Sequence, residues 1–482
     1  MPDGVGLRSE RGPILLALML STFLIAIDAT VLATAVPTIV EEFGGFEQFP
    51  WLFSVYTLAQ AASVPVFAKL SDVVGRRPVI YTGIALFLIG SVLCAGAWSM
   101  TALIAFRAVQ GLGAGAITPT TITIAGDIYT VRERARTQRY IASVWAFASV
   151  AGPTMGGLFS QFLSWRWIFW INVPLCLIAA FMLWRNYRHP FERHPHRIDY
   201  AGAALLTAAL VLVVLGLLEG GHAWEWLSWP SLVCFGLGVV LLGVFAFVER
   251  RAQDPILAPW VFSSRIVVTT SIAALFVGVV LIGLVSFVPT FLESTTSAAP
   301  VVAGLAVAAL TLGWPVSAAV AGRFYLRIGF RATTLIGSVF AVAGAGLLAL
   351  FALSPSIPLT AVACFIVGLG LGLVAAPALI AAQSSVEMRR RGVATGTNLL
   401  ARSIGSAVGV AVFGAIANAL IADHGGAGEP AAIQAGAVAV FVGVAGSALM
   451  MLAACAFIPP VHVDVPAEDT APKRQTVPPG EG

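Results

Sequence analysis

Fourteen runs of mostly apolar residues, each near the length of a membrane-crossing helix, lie end to end along the chain. A helix needs about 20 such residues to cross the hydrocarbon of a bilayer. The runs cover roughly 14–37, 51–70, 79–97, 101–125, 140–162, 167–185, 201–218, 230–248, 267–291, 301–321, 332–353, 359–382, 393–420 and 435–457. The connectors are short, which favours antiparallel helical neighbours. A membrane β-barrel would need alternating segments of about ten residues, and these runs do not alternate. The fold class expected is therefore all-α and polytopic, with 14 transmembrane helices. Charge agrees with this: only 10% of the residues are Asp, Glu, Lys or Arg, against about 25% in a soluble domain. A water-soluble enzyme and a disordered chain are both excluded.

Basic residues sort to one side of these spans. Arg8 and Arg11 precede the first, Lys69, Arg76 and Arg77 follow the second, and Arg132, Arg134, Arg136 and Arg139 follow the fourth. Every second loop from there on repeats the pattern, through Arg389, Arg390 and Arg391 to Lys473 and Arg474 in the tail. Arg166 alone lies in a loop on the other side. Positive charge marks the cytoplasmic side, so the expectation is a multi-pass protein of the cytoplasmic membrane with both termini in the cytoplasm. The net charge of +4 then orients helices, and nucleic acid is not an expected partner. The opposite loops carry acids, with Trp51, Trp98, Trp165, Trp224, Trp226 and Trp229 at the expected interface.

Chemistry-bearing motifs are few. Cys94, Cys176, Cys234, Cys364 and Cys455 all sit inside apolar runs without a CxxC, as buried small hydrophobes do. His189, His194 and His196 read as part of a solvated basic linker. No metal and no cofactor are expected, and no Walker A motif points to ATP. An internal repeat is present. Asp72-Val-Val-Gly75-Arg76-Arg77 after the second span matches Leu326-Arg327-Ile328-Gly329-Phe330-Arg331 after the tenth. Gly111-Leu-Gly-Ala-Gly-Ala116 matches Gly368-Leu-Gly-Leu-Gly-Leu373 at nearly the same offset. Two related halves meeting at a midplane site are a transporter architecture. The expected organisation is a six-helix bundle over 13–185, a linker region with spans 7 and 8 over 186–265, a second six-helix bundle over 266–457, and a disordered cytoplasmic tail over 458–482.

The chain resembles the major facilitator superfamily, in its fourteen-helix drug:proton antiporter branch. The resemblance is carried by Ile27-Asp28-Ala-Thr30 through Pro37 in the first span and by Asp72-x-x-Gly75-Arg76-Arg77. It is carried further by Arg107-Ala-Val-Gln110-Gly111, by Ala148-x-x-x-Gly152-Pro153-x-x-Gly156-Gly157, and by Asn398-x-x-x-Arg402-x-x-Gly405. Ala33, Ala148 and Glu293 depart from that branch's usual Asn, Gly and Gln. The resemblance implies proton-coupled efflux of amphipathic or cationic small molecules by a protein expected to act as a monomer in the lipid bilayer. Export of a lipid, a siderophore or a metabolite is the second reading, and a polytopic membrane enzyme the third.

Residue chemistry places the parts. Asp28 lies about 13 Å from the end of its span, where a bare carboxylate costs several kcal/mol. It should be protonated, paired with Arg107, or in a wet cavity, and with Arg107 it is the expected proton-coupling site. Glu293 is a possible second one. Asp72, Gly75, Arg76, Arg77, Asp127 and Glu133 form an expected conformational latch. In it Asp72 caps a helix of the other half through its dipole, and Asp127 and Glu133 pair with Arg76 or Arg77. Gly152, Pro153, Gly156 and Gly157 allow a bend and close helix packing; antiport direction is what the resemblance implies for them. Tyr56, Gln60, Gln110, Trp145, Trp314, Asn398 and Arg402 are candidates for lining a substrate cavity. For Arg402, snorkelling to the nearby surface is the alternative.

Overall fold

The computed structural model describes residues 6–32, 35–44, 48, 51–187, 200–220, 224–252, 260–296, 298, 300–423 and 430–460. The described chain is helical, in sixteen α-helices. They are α1 (Gly12–Val31), α2 (Val36–Phe43), α3 (Trp51–Val74), α4 (Arg76–Ala95), α5 (Met100–Ile128), α6 (Val131–Phe162), α7 (Trp167–Trp170) and α8 (Asn172–Asn186). Then come α9 (Tyr200–Glu219), α10 (Trp229–Glu249), α11 (Trp260–Ser263), α12 (Arg265–Thr296), α13 (Pro300–Phe351), α14 (Ile357–Ser384), α15 (Arg391–Asp423) and α16 (Pro430–Ala456).

Twelve helices among the described residues are long and apolar enough to cross a membrane. Two places account for the difference from the fourteen runs. Spans 10 and 11 are joined in the 52-residue α13, interrupted only where Gly329 takes φ 83°. Span 7 is the 20-residue α9 (Tyr200–Glu219), whose described apolar stretch is Ala201–Leu217. The expected 458–482 tail lies outside the described residues from 461 onward, although Ile458 is buried. Ala33 and His189, His194 and His196 also lie outside them.

Helix caps explain several boundaries. Thr130 caps α6 by accepting from the Glu133 backbone N–H, while Glu133 accepts from the Thr130 N–H. That reciprocal box satisfies two donors that the first turn leaves open. Ser99 caps α5 by accepting from the Ala102 N–H. Gly75 ends α3 with φ 100°, a left-handed conformation that costs glycine little. Its repeat partner Gly329 has the same sign of φ, so the sequence repeat corresponds to a shared turn.

Packing divides the helices into two groups. α1, α3, α4, α5, α6 and α8 pack among themselves, as do α12 to α16. The second group has one continuous apolar core from Ala273 through Phe441 to Cys455, and the first has two, around Phe87 and around Phe169. Small residues let the backbones approach. A Cβ on Gly405 in α15 would overlap the Leu275 carbonyl of α12, and one on Gly278 would overlap the Arg402 carbonyl. In lipid, such contact replaces the hydrophobic effect as the force between helices. The groups meet along α6–α13, α3–α15 and α5–α15, and α9 lies against both α3 and α15. There Leu206, Leu210 and Val214 of α9 join Leu58 and Ala62 of α3 with Leu400 and Ala407 of α15. The inserted α9 thus lines the seam, while α10, packed on α9, is largely exposed to the outside.

The end carrying the acids and tryptophans has its own ion pair. Glu42 of α2 accepts from the Trp165 indole at 2.7 Å and from Arg166 at 2.9 Å, while Arg166 lies over the Trp165 ring. Bonding to Arg166 holds the Glu42 carboxyl below its ordinary value. A lowered folded-state pKa means that the stabilisation is present above the unfolded value and lost as pH falls through the folded one. Glu42→Gln should therefore lower the melting temperature slightly at neutral pH and leave it unchanged in acid. Melting curves across pH 3–7 check this, and the effect is small because both groups are partly exposed.

Candidate functional site: a buried carboxylate and a seam of charges

Asp28 enters from the middle of α1, where 2% of its surface is exposed. Arg107, 1% exposed, reaches it from α5 with Nη1 at 2.6 Å from Oδ2. Gln110, one turn further along α5, donates Nε2 to Asp28 Oδ1 at 2.8 Å and accepts from Arg107 Nη1 at 2.7 Å. Both carboxylate oxygens are thus engaged. Arg107 also donates Nε to the Leu52 carbonyl at 3.1 Å, and its guanidinium stacks 4.1 Å from the centre of the Tyr56 ring. Gln110 Nε2 reaches Ser91 Oγ of α4 at 2.9 Å, and Asn172 of α8 donates to the same hydroxyl at 3.3 Å. Five helices of one group therefore converge on a single carboxylate. The Tyr56 hydroxyl and the Asn172 carbonyl oxygen are buried there without a partner among the described residues.

This geometry resolves the choice left open by the sequence. Asp28 is paired, and its partner is Arg107. Tyr56 and Gln110, expected on a substrate-facing surface, are instead 5% and 0% exposed and belong to the Asp28 network. The reason is chemical: an ion pair at this depth is costly unless its remaining donors and acceptors are satisfied, and Gln110 and the Tyr56 ring do that.

A second cluster lies at the arginine-rich end. Asp72 accepts from the backbone N–H groups of Gly392, at 3.0 Å, and Val393, at 2.8 Å, at the start of α15. A carboxylate there meets both unpaired donors and the positive end of the helix dipole. Arg76 bonds Asp72, donates Nε to Asp127 at 3.0 Å, and donates Nη2 to the Met388 carbonyl at 2.8 Å. Arg391 returns across the seam to Asp127 Oδ1 at 3.1 Å and to the Gly126 carbonyl at 2.7 Å. Arg134 of α6 donates to Gln383 of α14 at 3.0 Å, and Gln383 donates to Thr395 at 2.7 Å.

Two members of the expected latch stand elsewhere. Glu133 turns to Arg11 at 3.2 Å and to its own capping box, not to Arg76 or Arg77. Arg77 is exposed, over the Tyr81 ring. In their place the sequence reading missed Arg391, Arg134 and Gln383. Gln383 gave a signal, being a polar side chain within an apolar run. Arg391 sits in a triplet of arginines whose charge alone did not distinguish it.

The remaining candidates are scattered. Gly152 of α6 is pressed onto Thr30 of α1, whose hydroxyl donates to the Ala148 carbonyl at 3.1 Å, two residues past Asp28. A Cβ there would overlap the Thr30 hydroxyl. Gly156 is buried, but a Cβ on Gly157 would meet open space, so close packing does not explain that glycine. The Pro153 side chain lies outside the described residues. Gln60 is half-buried and donates to Thr118 at 3.3 Å. Trp145 is 44% exposed on α6. Trp314 is half-buried on α13, beside Pro315, in a stretch that stays helical. Asn398 donates to the Thr270 carbonyl at 3.1 Å, and Arg402 is half-buried one turn beyond it. Glu293 is exposed. Among the described residues, no group of His, Cys, Asp and Glu is arranged to hold a metal ion.

Two helix groups packed along a seam, with a compensated carboxylate inside one of them, define a membrane transporter rather than an enzyme. The sequence pattern of the Major Facilitator Superfamily matches residues 18–410, and the chain belongs to that family. The chain is similar to the multidrug transporter protein MdtP of Bacillus subtilis, with 31% identity over 414 residues, 86% of this chain and 76% of that protein. It is similar to multidrug resistance protein 3 of the same organism, with 33% identity over 84% of this chain and 79% of that one. The MFS-type efflux pump LUC4 of a Fusarium species is 32% identical over 83% of this chain and 72% of its own. In fold, the chain matches the human organic anion transporter MFSD10 with a TM-score of 0.66 at 17% identity, covering 92% of this chain and 99% of that one. A bacterial homologue of the iron transporter ferroportin, in an outward-facing state, matches with a TM-score of 0.61 at 12% identity and the same coverage.

Proposed function

We propose that the chain is a proton-coupled antiporter that exports amphipathic small molecules from the cytoplasm by alternating access. The multidrug names of two relatives support the breadth of this reading, and the efflux-pump name of a third supports its direction. The observation that carries the coupling is Asp28, a carboxylate at membrane depth whose charge is balanced by Arg107 on another helix. Protonating it would release Arg107 and Gln110 from both its oxygens and loosen the junction of α1 with α5. Thr30 lies half a turn further along α1 and packs on Gly152, so a shift of α1 would be felt in α6, which lines the seam with α13.

Orientation follows from charge: the arginine-rich end faces the cytoplasm of the cell whose membrane holds the chain. The hydrogen bonds and ion pairs of Asp72, Arg76, Asp127, Arg134 and Arg391 then close the cytoplasmic side. On this reading the conformation is the outward-facing one, and opening inward requires these contacts to break.

Reconstituted Asp28→Asn is expected to retain substrate binding and lose uphill transport driven by a pH gradient, by more than about tenfold. Full gradient-driven transport by this variant would remove Asp28 from the coupling.

A further inference from the structure

Three charged residues lie well inside the apolar runs, away from their ends: Asp28, Arg107 and Arg402. The first two neutralise each other. Arg402 has no acidic partner and no hydrogen-bond acceptor among the described residues, yet its side chain is only half-buried. α15 begins at Arg391, so Arg402 stands eleven residues in, about 16 Å along the helix. That is farther than an arginine stem spans toward the headgroups.

Its direction follows from helical spacing. Thr395 meets Thr123 of α5 across the seam and Gln383 of α14. Arg402 comes seven residues later, close to two full turns, and lies on the same face of α15 about 10 Å deeper. That face looks between the two helix groups. A guanidinium thus stands at membrane depth on the inter-group side, where water is scarce and an uncompensated cation is costly.

We infer that Arg402 is the substrate-facing anion site of the transporter, receiving a carboxylate or sulfonate of an amphipathic substrate. This rests on the efflux reading above and refines its substrate class: acid-bearing amphiphiles bind in preference to permanent cations. Asp28 offers a cation no free charge, because Arg107 and Gln110 occupy both its oxygens. An arginine fork matches a carboxylate in a bidentate way that a lysine ammonium does not.

Binding to the detergent-purified protein, read by tryptophan fluorescence, tests the site independently of pumping. The probes are a naphthalene amphiphile bearing a carboxylate, its neutral methyl amide and its trimethylammonium analogue. The carboxylate should bind about 10- to 100-fold more tightly than the amide, the range of a hydrogen-bonded charge pair. Arg402→Gln should erase that difference by weakening carboxylate binding far more than amide binding, and Arg402→Lys should keep part of it. Equal binding of carboxylate and amide to the unaltered protein would overturn the proposal. So would an Arg402→Gln variant that still prefers the carboxylate, or one that loses both probes alike. Reconstituted vesicles that move none of the probes, with the carboxylate preference intact, would overturn the efflux reading and leave the anion site standing.

Discussion

Replacing Arg107 with methionine should sharply lower the melting temperature of the purified protein and abolish gradient-driven transport. The substitution leaves the Asp28 carboxylate buried against Gln110 alone and removes the bond from Arg107 to the Leu52 carbonyl. Breaking one side of a buried ion pair costs about 3–5 kcal/mol, because the remaining charge has lost its compensation. The double variant Asp28→Asn with Arg107→Met removes both charges. It should recover most of the stability, since a neutral pair of similar volume is often no worse than the ionic one. It should not recover transport. A static structural pair predicts that stability and transport return together, whereas a coupling pair predicts that they separate. Thermal melts and vesicle assays on the four members of this cycle read the distinction directly.

The second large effect is expected at the arginine-rich end. Asp72→Ala removes the acceptor of two α15 backbone N–H groups and one of two carboxylates on Arg76. Hydrogen bonds to a charged group contribute about 1.5–3 kcal/mol each, so the closed state should lose at least tenfold in population against the open one. Spin labels at the exposed Arg136 and Arg323, on either side of the α6–α13 seam, report the change. The wild type should show mainly the short distance, and Asp72→Ala a longer population, with lower transport at normal membrane levels. An unchanged distance distribution would remove Asp72 from the latch. Arg77→Ala serves as the control and should change neither readout, because its exposed side chain lies outside the cluster.

What could be read from sequence followed from how sparing the chain is with charge. Asp28 and Arg107 stood out because apolar runs leave few explanations for an ion, and helical rise alone put them at compatible depths. The paired turns at Gly75 and Gly329 were visible as a repeat, since both need the same left-handed conformation. Glu133 was misassigned although its box with Thr130 is written in the sequence; local capping outcompeted the distant arginines. Contacts between the halves were not legible. Arg391 to Asp127, Arg134 to Gln383 and the wedge of α9 between α3 and α15 depend on how two preformed helix groups dock. No local spacing encodes that. Tyr56 and Gln110 were polar in the right helices, but only the packing of α1, α3 and α5 shows that they face Asp28.

The central claim is that substrate and proton move in opposite directions through one protein. Liposomes holding the wild-type chain and a trapped pH dye test it, with the membrane potential clamped and no pH gradient imposed. Inward flow of an amphipathic substrate down its own gradient should then make the lumen more alkaline, as protons leave in exchange. Protein-free liposomes and liposomes holding Asp28→Asn should show no such change. Substrate entry through the wild-type protein without alkalinisation of the lumen would contradict the account.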